Sequence, residues 1–369
     1  GPKSEEYDLL VSGSSSNDIP PFVKRICNSS FSGLLINEIK IPQHVTEIGK
    51  FAFRFCPGLS KVEFAENSEL RIIGSNAFEL TRIETIVISP HVTEIQSFAF
   101  SGCGLLKQVT FSDESELRII DKGAFECCSI KSIKIPQHVK EMHEYVFVKC
   151  DLEEIEFSDN SELEIIEDTA FEYTLIQYIV IPPTVTKMSE NSFQNCNNLS
   201  VIFIDENSDL KSMKLIDCNA TFESKKNLPT INCLSFDFDE ENQTAKVTGI
   251  NSNVDPDYIL IPRTVKHNEH EFLVTEISEG SFEGSKSLKI VFFSPDTEVR
   301  VIGKNSFASS TIKRIIIPST VDEICENAFF NCERLEKVSF PKNSQLKIIS
   351  ANSFSSTAIE SIAIPSNVT

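Results

Sequence analysis

Residues Ile36–Phe64 read INEIKIPQHVTEIGKFAFRFCPGLSKVEF, and variants of this stretch make up most of the chain. The stretch joins an apolar run that ends in Ile41-Pro42 to a V-T-E-I segment, then to Ala52-Phe53 and Cys56. The clearest copies occupy 86–103, 133–150, 179–196 and 315–332. Self-similarity at a fixed spacing indicates a stack of like units in which each unit packs on its neighbours. The stretch therefore predicts a repeat solenoid.

One phenylalanine per unit marks the period. The marker residues are Phe31, Phe53, Phe78, Phe100, Phe125, Phe147, Phe171 and Phe193, then Phe282, Phe307, Phe329 and Phe354. Their spacing alternates between 22 and 24 or 25 residues, so two unit types alternate. The longer type carries a polar loop such as Ala65–Ile73, whereas the shorter type has the compact Ile-Pro turn. The chain has 28 Phe and no Trp, and we expect the marker phenylalanines to stack as a buried ladder.

Each unit also contains one apolar-x-x-apolar-x-apolar segment, such as Leu59, Val62 and Phe64. The proline that closes many of these runs cannot donate to a sheet, so it fixes where a short strand ends. A unit of about 23 residues with one such strand has the size of a leucine-rich repeat. Stacked units of this kind form a parallel sheet.

The pattern I-P-x-x-V-T-x-I, followed by A-F-x-x-C, resembles the BspA-like (treponemal-type) leucine-rich repeats, and the F-x-E-N-S-x-L loops resemble the trichomonad parasite versions. The resemblance extends from about Phe31 to Thr369. It implies a horseshoe with a parallel sheet on the concave face and mostly irregular or short extended segments on the convex side. It also implies a surface-exposed or secreted binding protein linked to adhesion to host cells, matrix or other microbes.

The repeat register breaks between Phe193 and Phe282. We expect residues 1–30 to hold a cleaved-tag remnant (Gly1-Pro2) and an N-terminal edge or cap. Residues 31–215 would form a first array, 216–260 a non-repeat interruption or second cap, and 261–369 a second array that is truncated at its C-terminus. Two arrays joined by a packed interruption are favoured over one continuous solenoid with an insertion. A nine-residue insertion around Lys266–Val274 predicts a small hairpin.

The composition of the chain restricts the kinds of molecule that it can bind. The formal net charge is -20 and the pI is about 4.8, which argues against nucleic acid because phosphate binding needs clustered Lys and Arg. No run approaches the roughly 18 apolar residues of a membrane span, and any membrane anchor would lie outside this segment.

The cysteines favour structural roles. Cys56, Cys103, Cys150, Cys196 and Cys332 each follow a marker phenylalanine by three residues. Same-type units would lie two coils apart, about 10 Å, which is too far for a disulfide. We expect these five to be small buried hydrophobic residues. A bridge from Cys128 to Cys103 or to Cys150, and another between Cys218 and Cys233, remain geometrically open.

No catalytic, cofactor or metal site is predicted. His44, His91 and His138 share one slot that we interpret as solvent-facing. His267 and His270, with Glu269 and Glu271, have the residue types of a zinc site, but an exposed hairpin tip is the favoured interpretation. The sequence has no phosphate-binding glycine loop and no nucleophile elbow. An enzyme site built by the interruption would need a convergent His, Glu or Cys cluster.

The outward strand positions are polar in the early units and apolar near the interruption. Seven residues at these positions predict an apolar binding patch on the concave face: Tyr178, Val180, Val201, Phe203, Ile290, Phe292 and Ile316. Exposed patches of this kind usually mark interaction surfaces, for a partner or a second copy of the chain. The alternative is that residues 216–260 fold across the patch and bury it.

Five N-x-S/T sequons offer N-glycosylation sites if the chain is secreted by a eukaryote: Asn28, Asn198, Asn219, Asn242 and Asn367. The leading expectation is a non-enzymatic adhesion or binding protein, at the cell surface or secreted, that recognises a host or microbial protein or glycan through the concave face. An intracellular leucine-rich repeat scaffold is the alternative.

Overall fold

In the early repeat units, the apolar run forms a strand with one buried face. In β2 (Glu38–Ile41), Ile39 and Ile41 are buried while Glu38 and Lys40 face solvent. This alternation is the ordinary consequence of side chains that point to opposite faces of a strand. The computed structural model describes residues 19–158, 160–225, 233–251, 256–294 and 296–368. Within it the chain divides into two compact units at positions 225 and 226.

Nine strands of this longer kind lie in the part of the first unit that the structure describes. They are β2 (Glu38–Ile41), β4 (Lys61–Phe64), β6 (Thr85–Ile88), β8 (Gln108–Phe111), β10 (Ser132–Ile135), β12 (Glu154–Phe157), β14 (Tyr178–Val180), β16 (Val201–Ile204) and β17 (Thr221–Ser224). They pair in parallel as β2–β4, β6–β8, β10–β12 and β14–β16–β17. The long strands therefore form short ladders, each shared by neighbouring coils. A 3-10 turn at Asp209–Ser212 lies between β16 and β17.

A second strand in each coil builds the continuous sheet. These two-residue strands are β1 (Arg25–Ile26), β3 (Glu47–Ile48), β5 (Ile72–Ile73), β7 (Glu94–Ile95), β9 (Ile119–Ile120), β11 (Glu141–Met142), β13 (Ile165–Ile166) and β15 (Lys187–Met188). They form one eight-stranded parallel sheet in chain order. The sequence predicted one sheet-forming strand per unit, and the structure adds a second in the V-T-E-I segment, which in the first unit pairs without interruption.

The second unit begins with a β-hairpin. Strands β18 (Leu234–Asp239) and β19 (Thr244–Ile250) are antiparallel, and β19 then pairs in parallel with β22 (His270–Ile277). The ladder continues through β24 (Val301–Ile302), β26 (Glu323–Ile324) and β28 (Ile348–Ile349). The longer strands are β20 (Tyr258–Ile261), β23 (Ile290–Phe293), β25 (Arg314–Ile316) and β27 (Lys337–Ser339). The predicted insertion is the hairpin of β21 (Thr264–His267) and β22, so the expected hairpin is confirmed.

The marker phenylalanines form the predicted ladder in each unit. From Phe31 to Phe193, successive ring centroids lie 4.9 to 5.8 Å apart with interplanar angles of 13° or less. From Phe282 to Phe354 the separations are 5.0 to 5.2 Å. Coils one strand spacing apart bring the rings into face-to-face contact. The predicted repeat solenoid is confirmed: stacked coils, parallel ladders and almost no helix.

The turns that carry these rings use left-handed backbone on both sides of the marker. Around Phe53, φ is 60° at Phe51 and 56° at Phe55. The amides of these three residues all donate to carbonyls of the next coil, at 2.7 to 2.9 Å. Left-handed φ is costly for bulky residues. The hydrogen bonds that these amides form with the next coil offset this cost.

The buried cysteines are hydrogen-bond donors as well as packing groups. The five predicted core cysteines are buried, as expected. The Cys56 thiol donates to the Phe31 carbonyl of the preceding coil at 3.0 Å, and the other four repeat this bond. Thr81 occupies the same slot one coil before Cys103 and hydrogen bonds to its thiol. All eleven cysteines lie in the described ranges and none is in a disulfide, so no bridge joins Cys128 to a neighbour, and Cys218 and Cys233 are not bridged.

Candidate binding face

The long strands of the first unit present two columns of outward side chains. In β2, β4, β6, β8 and β10 the first and third residues are exposed while the second is buried. The ten outward residues are Glu38, Lys40, Lys61, Glu63, Thr85, Val87, Gln108, Thr110, Ser132 and Lys134. We call these residues the early face. Its residue types change from coil to coil, although the buried residues behind it are nearly constant.

The first two coils of the early face are charge-complementary. Glu38 lies opposite Lys61, and Lys40 lies opposite Glu63. Lys61 and Glu63 also form an ion pair along β4 at 2.5 Å. The hydrogen bond between them raises the pKa of Lys61 and lowers the pKa of Glu63. Exposed ion pairs contribute little to stability, so these charges are available to a ligand at small cost to the fold.

The same columns become apolar and buried at the end of the first unit. Tyr178 and Val180 are half-buried, whereas Val201 and Phe203 are buried. The Tyr178 ring meets the Phe203 ring edge to face at 6.1 Å. Burial, reinforced by the carboxylates of Glu154 and Glu156, raises the pKa of Tyr178 to about 12.

The corresponding columns of the second unit are similar. Ile290 and Phe292 are buried, and Ile316 is half-buried. The Tyr258 ring stacks on Phe292 with centroids 6.3 Å apart. The change from polar to apolar residues that the sequence indicated therefore coincides with burial in both units. A binding role for the seven residues of the predicted patch stays a prediction.

The histidine slot faces solvent, as predicted, and each histidine has a partner that the sequence reasoning missed. Nδ1 of His44, His91 and His138 lies 2.8 to 3.1 Å from a carboxylate of the next coil. The partners are Glu69, Glu116 and Glu162. The signal was present in the sequence, since each pair is 24 or 25 residues apart, which is about one coil.

The hairpin histidines lie at the exposed turn of the β21–β22 hairpin. His267 and His270 face each other across the turn of the β21–β22 hairpin, and both are exposed. The His267 ring stacks on Phe238 at 4.2 Å, while Glu271 accepts a hydrogen bond from Thr264. The favoured interpretation of an exposed polar hairpin tip agrees with this arrangement.

A different group of residues has the geometry to hold a metal ion. Within the described part of the chain, it is the one group of three or more His, Cys, Asp or Glu ligands close enough to do so, and it consists of Glu141, His143 and Glu167. It lies at the sheet of short strands, beside β11 and β13.

The five sequon asparagines differ in accessibility. Asn28, Asn219, Asn242 and Asn367 are exposed, and Asn198 is half-buried. The Asn242 amide nitrogen donates to Asp239 at 2.8 Å. Across the described residues, the structure contains no helix with the length and apolar character needed to span a bilayer.

Comparison with known proteins supports the repeat assignment. A family model described as "BspA type Leucine rich repeat region" matches six copies over residues 13–119, 118–236 and 265–369. The comparison with curated proteins finds no match.

Several solved structures are similar to the chain. A leucine-rich repeat protein from Bacteroides ovatus is 25% identical, with 92% of this chain and 83% of that chain covered and a TM-score of 0.41. A leucine-rich cell surface protein from Faecalibacterium prausnitzii is 22% identical, with 92% and 82% covered and a TM-score of 0.36. The pneumococcal vaccine antigen PcpA is 18% identical, with 83% and 79% covered and a TM-score of 0.36. The family match covers well over half of the sequence, and the chain belongs to the BspA-type leucine-rich repeat family.

Proposed function

We propose that this protein is a non-enzymatic binding or adhesion protein, displayed at the cell surface or secreted, that recognises a protein or glycan through the early face. The observation that carries the proposal is the contrast between a nearly constant core and the variable outward columns of β2, β4, β6, β8 and β10. A scaffold that repeats its interior and varies one exposed face concentrates its specificity on that face.

The chemistry of the early face suits a polar, extended ligand. Neighbouring strands repeat at about 4.8 Å, so outward side chains form a regular array of donors, acceptors and charges. The array offers the ammonium groups of Lys40 and Lys134, the hydroxyl of Thr110 and the exposed apolar side chain of Val87. A carbohydrate chain or an extended polypeptide presents a row of hydroxyls or peptide groups that such an array can bind.

Binding is tested by incubating the purified chain with immobilised glycans and extracellular-matrix proteins. We expect saturable binding to at least one of them that weakens as salt is added, because exposed charges contribute to recognition. No saturable binding to any of them, together with no adhesion of protein-coated beads to host cells, would contradict the proposal.

The surface location is supported by the properties of the family. Its test is labelling of intact cells that express the protein naturally, with a membrane-impermeant amine reagent. Exposed lysines such as Lys40, Lys134 and Lys187 should react without lysis. Labelling only after lysis would exclude display at the surface.

One observation favours the alternative of an intracellular scaffold. No disulfide joins any two of the eleven cysteines, and unbridged thiols persist most readily in a reducing compartment. Mass mapping of unreduced native protein separates the two proposals. Glycans at the sequons or disulfides indicate secretion, and neither would be found on an intracellular scaffold.

The apolar patch remains a separate proposal for a partner or for homodimer formation. Phe203 and Phe292 are 0% and 1% exposed in the single chain. A partner or a second copy would therefore reach these rings only after the chain rearranges around them, which sets this patch apart from the freely accessible early face.

A further inference from the structure

The sheet of short strands brings three metal-binding side chains from two coils together. Glu141 is the first residue of β11, and His143 is the residue after the strand ends. The two side chains therefore point to the same face of the sheet, and the buried Met142 lies between them in sequence. In the next coil, β13 pairs with β11 such that Ile166 lies opposite Met142. Glu167, one residue beyond Ile166, therefore lies beside His143.

The contacts place the imidazole between two carboxylates. His143 Nδ1 lies 3.1 Å from Glu167 Oε2, and His143 Nε2 lies 3.9 Å from Glu141 Oε2. One ligand atom from each of the three residues lies within 4.8 Å of the other two. The three side chains are half-buried, with 26 to 40% of each exposed, so the cluster is partly shielded but reachable from solvent.

We propose that Glu141, His143 and Glu167 form a binding site for one divalent transition-metal ion, with Zn²⁺ as the reference ion. Zinc bonds to nitrogen and carboxylate oxygen of about 2.0–2.2 Å set tetrahedral ligand-to-ligand separations of about 3.4 Å. One ion binds only one ring nitrogen of His143, and the three ligand atoms, which lie within 4.8 Å of one another, reach this separation when the two flexible Glu side chains rotate. An imidazole ligand favours zinc, copper or nickel over Ca²⁺ and Mg²⁺, which prefer sets of oxygen ligands only.

The surroundings support a cation at this position. Two carboxylates supply two negative charges, which match a divalent ion. The Glu144 amide donates to Glu167 Oε2 at 3.1 Å and so holds that carboxylate in place. The neighbouring ammonium of Lys122 is paired with Glu144. The Lys122 ammonium also interacts electrostatically with Glu167.

The other histidines of the first unit show what an ordinary pair looks like. His138 pairs with the single carboxylate of Glu162, and His91 pairs with Glu116, which also binds Arg71. No second carboxylate completes a ligand set around either histidine within the described residues. A contact between a histidine and a glutamate of the next coil therefore occurs both with a second carboxylate nearby, at His143, and without one, at His91 and His138. The latter two histidines provide matched controls.

A bound ion would join two consecutive coils and keep at least one coordination position open. Structural zinc sites usually have four protein ligands, whereas sites with three leave a position for water or for an incoming group. We infer that this site stabilises the coil stack and can accept a carboxylate or imidazole from outside the chain.

The test is isothermal titration calorimetry of Zn²⁺ into the reduced full chain, with thermal unfolding followed in parallel. We expect one site that is absent with Mg²⁺ or Ca²⁺ and a Zn²⁺-dependent rise in Tm. Substitution of His143→Gln should weaken binding by at least about tenfold, since even changing a residue that only hydrogen bonds to a metal ligand costs about 10 to 100-fold in affinity. Glutamine fits the slot because Gln96 occupies it two coils earlier. The variants Glu141→Gln and Glu167→Gln should have comparable effects.

The control is His138→Thr, which removes a histidine of the one-carboxylate type and introduces a residue that the slot holds at Thr184. It should bind Zn²⁺ as the wild-type chain does. The proposal is overturned if the wild-type chain binds no Zn²⁺, or if His143→Gln binds it unchanged while its circular dichroism spectrum is native. It is also overturned if His138→Thr weakens binding as much as His143→Gln.

Discussion

Removing one ring from the middle of the phenylalanine ladder should be among the most damaging single changes in the chain. Phe125 is 0% exposed and stacks on Phe100 at 5.5 Å and on Phe147 at 5.8 Å. Substitution of Phe125→Ala leaves a cavity that the neighbouring rings cannot fill, because backbone hydrogen bonds between coils fix their separation.

The expected loss in the free energy of unfolding follows from the burial and the stacking of the Phe125 ring. Buried Phe→Ala changes cost about 3–5 kcal/mol. Aromatic pairs contribute about 0.5–1.5 kcal/mol each beyond the area they bury, and Phe125 belongs to two pairs. We therefore expect a loss near the upper end, about 4–5 kcal/mol. Phe31 has one ladder neighbour, Phe53 at 4.9 Å. Phe31→Ala should therefore cost about 1 kcal/mol less than Phe125→Ala, by the value of one pair.

The assay is urea unfolding at equilibrium, followed by circular dichroism and fitted with a common m-value. The matched control is Phe22→Ala, because Phe22 is 62% exposed and its removal should change stability by less than about 0.5 kcal/mol. A loss below about 2 kcal/mol for Phe125→Ala, or a loss no larger than that of Phe22→Ala, would refute the view that the ring ladder holds the coils together.

Three further predictions concern the thiols, the apolar patch and the sequons. Burial raises the pKa of the Cys103 thiol from 9.0 to about 11. The stability that this thiol contributes is therefore complete below about pH 9 and is lost as the pH rises towards 11. The urea midpoints measured at about pH 8 and pH 10.5 should differ less for Cys103→Thr than for the wild-type chain. Phe203→Ser and Phe292→Ser should each lower the free energy of unfolding by about 3 kcal/mol or more without changing the sedimentation coefficient. If the wild-type chain is a dimer and either variant is a stable monomer, the rings form an interface instead. In a eukaryotic secretory host, mass mapping should find Asn219 glycosylated more fully than the half-buried Asn198, and equal occupancy would show that side-chain exposure does not control modification.

The sequence was sufficient to predict the features that depend on the period alone. The Phe53 ladder position, the buried Cys56 and the solvent-facing His44 recur at fixed spacings, so stacking the units placed them correctly. The second strand of each coil was not predicted, because a segment such as Glu47–Ile48 is too short to register as a strand until neighbouring coils pair with it.

Other features depend on contacts between coils that a single unit does not contain. The thiol of Cys56 donates to a carbonyl of the preceding coil, so its role as a donor is invisible in the local sequence. The left-handed backbone at Phe51 contradicts the local preference of a bulky residue and is fixed by hydrogen bonds to the next coil. Glu141 and His143 occupy two different repeat positions of one coil, and Glu167 belongs to the next coil. A comparison of the repeat units position by position therefore does not bring the three residues together.

Recognition by the early face is tested most directly by removing outward side chains and measuring binding to the glycan or matrix protein selected by the screen. The face variant combines Lys40→Ser, Val87→Ser and Lys134→Ser, and serine already occupies the same slot at Ser339. The control variant removes two exposed cations and one exposed apolar side chain elsewhere, through Arg118→Ser, Ile119→Ser and Lys187→Ser. We expect the face variant to lose at least about tenfold in affinity, roughly 1.4 kcal/mol, while the control binds as the wild-type chain does. Equal affinity of the two variants, with both natively folded, would contradict binding through the early face.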